Sequence, residues 1–271
     1  MTKTDPDPLG TDPLGTQRSD VRSAAQELAE TIREIEDRGV SGAVADAARA
    51  LAEEPTLQQT LDRVVELAMT MVPGCEAAGI SLVSRGRIRS VSVSEPFVAR
   101  GDALQYELGE GPCLDAIRLA TVVESPDVAA DVRWPRWAPT AVRELGVGSM
   151  LGVQLYTSAD AHGALNLYAR ATGAFSEESV HLATTFAAVA AAAISAARTE
   201  EQLQSAVRTR TLIGQAQGMI MERYALSEAR AFAVMSRVSQ DSNVKLVDVA
   251  REIVSTRRMP GVDGPAGSAQ D

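Results

Sequence analysis

The chain is poor in the residues that carry chemistry. Among 271 residues there are two cysteines, Cys75 and Cys113, and two histidines, His162 and His181. Two cysteines supply neither a disulfide framework nor a zinc ligand set, which suits a reducing compartment. Neither histidine has a Cys or a second His at metal-ligand spacing, so both are read as ordinary residues and no metal site is expected. No Ser occupies a Gly-x-Ser-x-Gly elbow, and Gly109-x-Gly111 lacks both the Lys and the preceding apolar strand of a phosphate loop. Hydrolase and nucleotide-hydrolysis readings fail on that inventory, and no cofactor is expected. Aromatic residues make up only 4% of a chain that is 45% hydrophobic, so its cores must lean on Ala, Val, Leu and Met. Long apolar runs are missing too. The most apolar stretch, Phe186 to Ala197, is mostly Ala and too short to span a bilayer, while Met1 to Gly15 is acidic and rich in Pro and Gly, unlike a signal peptide. The expectation is a cytoplasmic, non-membrane protein.

What the chain does have is a segment of small residues and scattered arginines near its C-terminus, Arg208 to Val254. Ile213, Ala216 and Ile220 recur at the spacing of one helix face; Ala231, Val234 or Met235, and Val238 form a second stripe; Leu246, Val249, Ala250 and Ile253 form a third. Tyr224 to Leu226 and Asn243 interrupt the pattern, with Ser227 as N-cap and Glu228 in the first turn of the second helix. Gly214 and Gly218 lie four apart inside the first helix, where each costs about 1 kcal/mol against Ala; close approach by a packed helix or a ligand would offset that. From Ala206 to Pro260 nine basic residues face five acidic ones, a net +4. The rest carries 17 basic and 31 acidic residues, a net −14 within a whole-chain −10. A basic module is tethered to an acidic body that repels polyanions at long range.

The residues Arg210-x-x-Ile213-Gly214-x-Ala216-x-Gly218-x-Ile220-Met221, then Ala231-Phe232, Ser239-Gln240 and Lys245-Leu246-x-Asp248-Val249-Ala250, resemble an ANTAR domain, a family of RNA-binding regulators of transcription termination. The family often has Lys where this chain has Gln217. The resemblance implies a target of paired short hairpins in a nascent transcript, whose stabilisation prevents a terminator from forming. Arg210, Gln217, Arg223, Arg237, Ser239, Lys245 and Arg251 are the candidate RNA contacts, and Gly214, Ala216, Gly218 and Ala250 are assigned to close helix packing or close RNA approach.

Upstream, residues 1–20 read as a disordered tail and 259–271 as a second one; residues 21–54 read as N-terminal helices, with an amphipathic Val21 to Asp37, a break over Gly39 to Gly42 and a helix from Ala43 to Ala52. The amphipathic helix packs on its own domain or on a second copy. Thr56 to Met71 continues as a helix. From Cys75 the period changes to two: Ala78 to Val83 and Arg89 to Ser94 predict one hairpin, Val147 to Tyr156 and Gly163 to Arg170 another. Between them lie a helix at Pro112 to Ala120, a short strand at Thr121 to Glu124 and a helix at Pro139 to Leu145. Strands in the middle with helices on either side predict an α+β domain on an antiparallel sheet.

Gly109-Glu110-Gly111-Pro112-Cys113-Leu114, the Asp131-Val132-Arg133-Trp134-Pro135 turn, and Gly148 to Leu155 followed by Gly163 to Leu167 give residues 55–197 a resemblance to a GAF sensor domain. The order GAF then ANTAR is common in actinobacterial regulators. The resemblance implies an α+β sensor, an antiparallel sheet flanked by helices, ahead of an all-α three-helix bundle in 198–258. It places a pocket for an unidentified small-molecule effector between sheet and helices, with Tyr106, Cys113, Asp115, Trp134 and Trp137 as candidate lining; both tryptophans are equally readable as core. Cys113 opens a predicted helix whose dipole would lower a thiol pKa, so a redox sensor is the alternative to a buried packing residue. The Asn-Lys-x-x-x-Phe signature of cyclic-nucleotide GAF domains has no counterpart, and the sulfoxide reductases of similar fold use more cysteines than these two.

Ser179 to Arg223 contains no Pro and no Gly before Gly214, so one helix is expected to leave the sensor and become the first helix of the output module. A homodimer is expected around it. The rival functions are a promoter DNA-binding factor using Asn243 to Val254 as recognition helix, and a protein-interaction adaptor.

Overall fold

The computed structural model describes residues 39, 41–84, 86–158 and 161–259. The amphipathic stretch expected at Val21 to Asp37 lies outside them. The chain divides into two units, one ending at Ser195 and the other beginning at Ala196.

The first unit is built on a five-stranded sheet of order β2-β1-β5-β4-β3 with every described pair antiparallel: β1 (Ala77–Ser84), β2 (Arg87–Val93), β3 (Val122–Ser125), β4 (Ser149–Ser158) and β5 (Ala161–Ala169). Alternation along the strands sorts their side chains to two faces. On one face Ala78, Ile80, Leu151, Val153, Leu155, Leu165 and Leu167 are buried under α1 (residues 41–52), α2 (Leu57–Met71) and the first part of α6 (Glu177–Tyr224). Helix α2 starts where the Thr56 hydroxyl accepts the Gln59 N–H at 3.2 Å, and it presents Leu61, Val64, Val65 and Ala68, one apolar face at three-four spacing. On the other face Ala77, Ala164, Met150 and Tyr168 lie under α3 (Pro96–Leu108), α4 (Pro112–Leu119) and α5 (Trp137–Leu145).

Two expectations change here. Gly42 sits inside α1 and Gly39 is helical; Ala47 and Leu51 then share a core with α2 and α6, which makes α1 part of the first unit instead of a separate N-terminal segment. Helix α3 was not expected at all. Its buried residues are Val98, Gly101, Asp102, Leu104 and Gln105, correct helical spacing in which only two of five are aliphatic. The signals that bound it are local: Pro96 at the first turn, and Gly109 at its end with φ +70°.

The second unit is a bundle of the C-terminal part of α6 with α7 (Glu228–Ser242) and α8 (Leu246–Thr256). Ala216 and Ile220, Ala231 and Met235, and Val249, Ala250 and Ile253 close on one another as the three stripes predict. Asn243 ends α7 in the left-handed conformation, φ +53°. Met259, expected to open a disordered tail, is instead buried in the same core. Helix α6 is 48 residues long and continuous through residues 195 and 196. Part of it is apolar and long enough to cross a membrane by length and composition; its apolar residues Ala183, Phe186, Ala187, Ala190 and Ile194 are spent in the core of the first unit.

Candidate functional site

The α3-covered face of the sheet holds a buried polar cluster centred on Asp102. The β1–β2 register sets Ser81 opposite Ser90, and the β1–β5 register sets Gly79 opposite Asn166. Period two then turns Ser81, Asn166 and Tyr168 toward α3, while Ile80, Leu165 and Leu167 go to the other core. Asp102 Oδ1 accepts from Tyr168 Oη at 2.5 Å and Asn166 Nδ2 at 2.9 Å; Oδ2 accepts from Ser90 Oγ at 2.8 Å and Ser81 Oγ at 3.4 Å. The Tyr106 hydroxyl lies 2.5 Å from Ser81 Oγ and 3.1 Å from Ser90 Oγ. Asp102 and Asn166 are fully buried, and the partners recorded for the carboxylate are neutral donors. Burial pushes the Asp102 carboxyl up to about 6, against the pull of its four hydroxyl and amide donors. Asn166 Oδ1 is buried without a partner among the described residues, which costs about 1–3 kcal/mol. Among the described residues the cluster thus holds a carboxylate with only neutral partners beside an acceptor left over, both closed off from water.

Helix α4 joins this cluster through Cys113, whose thiol interacts with Ser81 and Asn166. Gln105 Oε1 accepts the Cys113 N–H at 2.8 Å, and its side chain fills the space where a Cβ on Gly111 would stand, 2.2 Å away. Gly111 has φ +135°, so this position needs glycine twice over. Glu110, between the two glycines, accepts Arg136 Nε at 2.7 Å and the backbone N–H groups of Arg136 and Trp137 at 2.9 and 3.2 Å, which caps α5 and holds its carboxyl below the usual range. The Asp131–Trp134 loop is tied to itself in the same way: Asp131 accepts from Ser125 Oγ at 2.7 Å and Arg133 Nε at 2.9 Å, and the Arg133 guanidinium lies 4.3 Å from the Trp134 ring centroid. Burial pushes the Asp131 carboxyl up, but Arg133 and Ser125 outweigh it and the net shift is down. The motifs legible in the sequence are thus the frame around the cluster.

Of the five pocket candidates, Tyr106 and Cys113 reach the Asp102 cluster. Trp134 and Trp137 are core, an edge-to-face pair with centroids 5.8 Å apart. Asp115 serves that core by accepting Trp134 Nε1 at 2.8 Å. Of the two readings of Cys113, the structure fits the buried packing residue and not the redox sensor: it is fully buried, and burial, then the Asp102 charge, push its thiol up to about 12 in spite of its place in the first turn of α4. Cys75, also mostly out of water, is pushed up to about 12. Asp102, Asn166, Ser81, Ser90 and Tyr168 were missed. The alternating serines of β1 and β2 were the available signal.

In the C-terminal unit the candidate RNA contacts separate into two groups. Arg210, Arg237 and Lys245 are exposed and make no ion pair among the described residues. The others have work inside the bundle. Gln217 Nε2 donates to the Glu228 carbonyl at 2.9 Å, fixing the first turn of α7 to α6. Ser239 Oγ donates to the Val244 carbonyl at 2.6 Å and shapes the α7–α8 turn. Arg251 pairs with Asp248, and Arg223 donates to the Arg257 carbonyl at the end of α8. Ala216 and Ala250 are fully buried, as close packing requires. Gly214 and Gly218 are not: a Cβ on either would meet nothing within 4 Å, so helix packing within the chain does not explain them.

Comparison with known proteins agrees with this division. Residues 54–195, just over half of the chain, match the family model of the GAF domain, and residues 201–254 match that of the ANTAR domain. No curated protein matches the sequence. Among solved structures the GAF domain of a phosphoenolpyruvate-protein phosphotransferase from Coxiella burnetii is 17% identical, with 60% of this chain and 96% of that one covered and a TM-score of 0.48. The free methionine-R-sulfoxide reductase of Neisseria meningitidis, in complex with its substrate, is 16% identical, with 59% and 91% covered and a TM-score of 0.47. The bacteriophytochrome RpBphP3 of R. palustris is 13% identical, with 73% and 45% covered and a TM-score of 0.48.

Proposed function

From a chain that belongs to the GAF domain family and carries an ANTAR domain behind it, we infer a signal-responsive RNA-binding regulator. It binds paired hairpins in nascent transcripts and prevents transcription termination, under control of the sensor unit. The observation that carries this reading is the set of exposed cations on the C-terminal unit, a segment of net +4 in a chain of net −10. In the C-terminal unit Arg210, Arg230, Arg237 and Lys245 stand in water with no carboxylate partner among the described residues. Unpaired guanidinium and ammonium groups on a small bundle are the means by which a protein holds phosphates.

The chain acts by binding and not by turnover, a reading that its two suppressed thiols support. Input enters at the Asp102, Asn166, Tyr106 and Cys113 face, where an effector that prefers one arrangement of α3 shifts the population of sensor states. Helix α6 is the covalent path from that unit to the output, and a homodimer pairs two outputs for two hairpins. The protein works in the cytoplasm.

The test measures binding of the full chain to a paired-hairpin leader RNA and to duplex DNA at matched salt. Preference for the RNA is expected; equal or tighter binding to duplex sinks the antitermination reading in favour of a promoter-binding factor.

A further inference from the structure

The C-terminal unit carries an open groove of about 730 Å³ where α6 meets the start of α7, a size within the range of small-ligand sites, roughly 300–1,000 Å³. Ile213, Gly214 and Phe232 line its apolar part; Arg210, Ser227 and Glu228 supply its polar groups. Phe232 is the odd member. It follows the fully buried Ala231, yet it is 43% exposed and belongs to none of the buried clusters. Gly214 beside it leaves the space above the α6 backbone open. On the polar side Gln217 is already bonded to the Glu228 carbonyl, while two other groups are uncommitted. Arg210 has no ion pair among the described residues, and Ser227, the N-cap of α7, makes no side-chain capping bond, which leaves the first N–H groups of α7 without that cap.

A flat aromatic face, a bare backbone and a guanidinium at one edge match the parts of a nucleotide: a ring to stack on and a phosphate to hold. Glu228 narrows the choice. Its carboxylate only accepts hydrogen bonds, so it repels a phosphate and suits an exocyclic amino group, as carboxylates suit the N4 amino group of cytosine in duplex recognition. The segment's net charge of +4 against the −14 of the remaining chain directs a polyanion to this unit and not to the sensor.

We propose that the groove takes one unpaired RNA base, stacked on Phe232, with its exocyclic amino group on Glu228 and its phosphate on Arg210. This rests on the RNA-binding reading above and adds to it the contact that reads sequence. Arg237 and Lys245 hold backbone and discriminate little; Phe232 and Glu228 decide which loop is accepted.

The test starts from a pool of two-hairpin RNAs with randomised loops, selected on the full wild-type chain. Phe232→Leu is expected to weaken binding of the selected RNA roughly tenfold to a hundredfold, as loss of one base stack does, while Phe232→Tyr stays within about threefold of wild type. One loop position will require an amino-bearing base, and Glu228→Ala will remove that requirement. Ultraviolet cross-linking of the wild-type chain to the selected RNA will mark the peptide holding Phe232, a readout independent of any folding defect in the variants. A pool that yields no RNA held better than duplex DNA overturns the RNA reading and the groove with it. Selected RNA that binds Phe232→Leu as tightly as wild type, or cross-links only elsewhere, overturns the groove alone.

Discussion

Tyr168 donates its hydroxyl to Asp102 Oδ1 across 2.5 Å, and that bond joins β5 to α3. Tyr168 is itself fully buried, and the same hydroxyl accepts from Gln105 Nε2 at 3.4 Å, while Gln105 Oε1 holds the first turn of α4. One phenol thus bears on both helices that cover this face. Tyr168→Phe removes the bond and leaves a buried carboxylate short of one donor. The expected cost is about 1–3 kcal/mol, read as a lower midpoint for the sensor transition in urea.

The buried carboxyl also sets a pH dependence with a definite sign. Asp102 is pushed from 3.8 up to about 6 in the folded chain, so between those values the folded state binds more protons than the unfolded one. Stability from this group is present in full below 3.8 and is lost as pH rises through about 6. Glu110 and Asp131, held low by Arg136 and Arg133, act in the opposite sense, losing their contribution as pH falls. The Asp102 part is isolated by difference. Asp102→Asn should gain stability relative to wild type as pH goes from 4.5 to 7.5, in urea titrations at matched salt; a flat difference would show that Asp102 does not titrate in this window.

How much of this was legible follows from where the signals lie. The hairpins and the three C-terminal stripes were readable because Ile80, Leu165, Leu167 and Val249, Ala250, Ile253 repeat at strand and helix periods in apolar residues. Helix α3 was not, because its buried face spends three of five positions on Gly101, Asp102 and Gln105. Hydrophobic periodicity cannot see a face buried by hydrogen bonds. The same blindness hid the sensor cluster, since Ser81 and Asn166 come together only through the β1–β5 register. In the output unit residue type identified cations and polar groups, but not that Gln217, Ser239 and Arg223 are already bonded to backbone carbonyls.

That last distinction predicts two behaviours among the arginines and the lysine. Arg223→Ala frees the Arg257 carbonyl at the end of α8 and should destabilise the bundle by about 1 kcal/mol or more. Arg237→Ala and Lys245→Ala should leave thermal unfolding within about 0.5 kcal/mol of wild type, and each should lower the slope of log affinity for RNA against log salt by about 0.7. Unfolding curves and salt titrations on the three variants separate the roles. A Lys245→Ala bundle that melts early would make that side chain structural.

Gly214 and Gly218 give the sharpest separation of stability from function. Both are exposed, both are inside α6, and a Cβ on either meets nothing within 4 Å. Alanine at each site should therefore stabilise the helix by up to about 1 kcal/mol, since the only change within the chain is the lower conformational entropy of the unfolded state and better helix propensity. A glycine kept at such a cost is explained by something outside the chain that needs the bare backbone. If that is RNA, Gly214→Ala raises the unfolding temperature and weakens RNA binding together, because the added methyl group stands in the groove beside Phe232. Gly218 lines no such groove residue set with Phe232, so Gly218→Ala should weaken binding less while stabilising as much. Two variants of equal stability and unequal affinity would locate the close approach at Gly214; equal affinity for wild type and Gly214→Ala would show that the open backbone there serves no RNA contact.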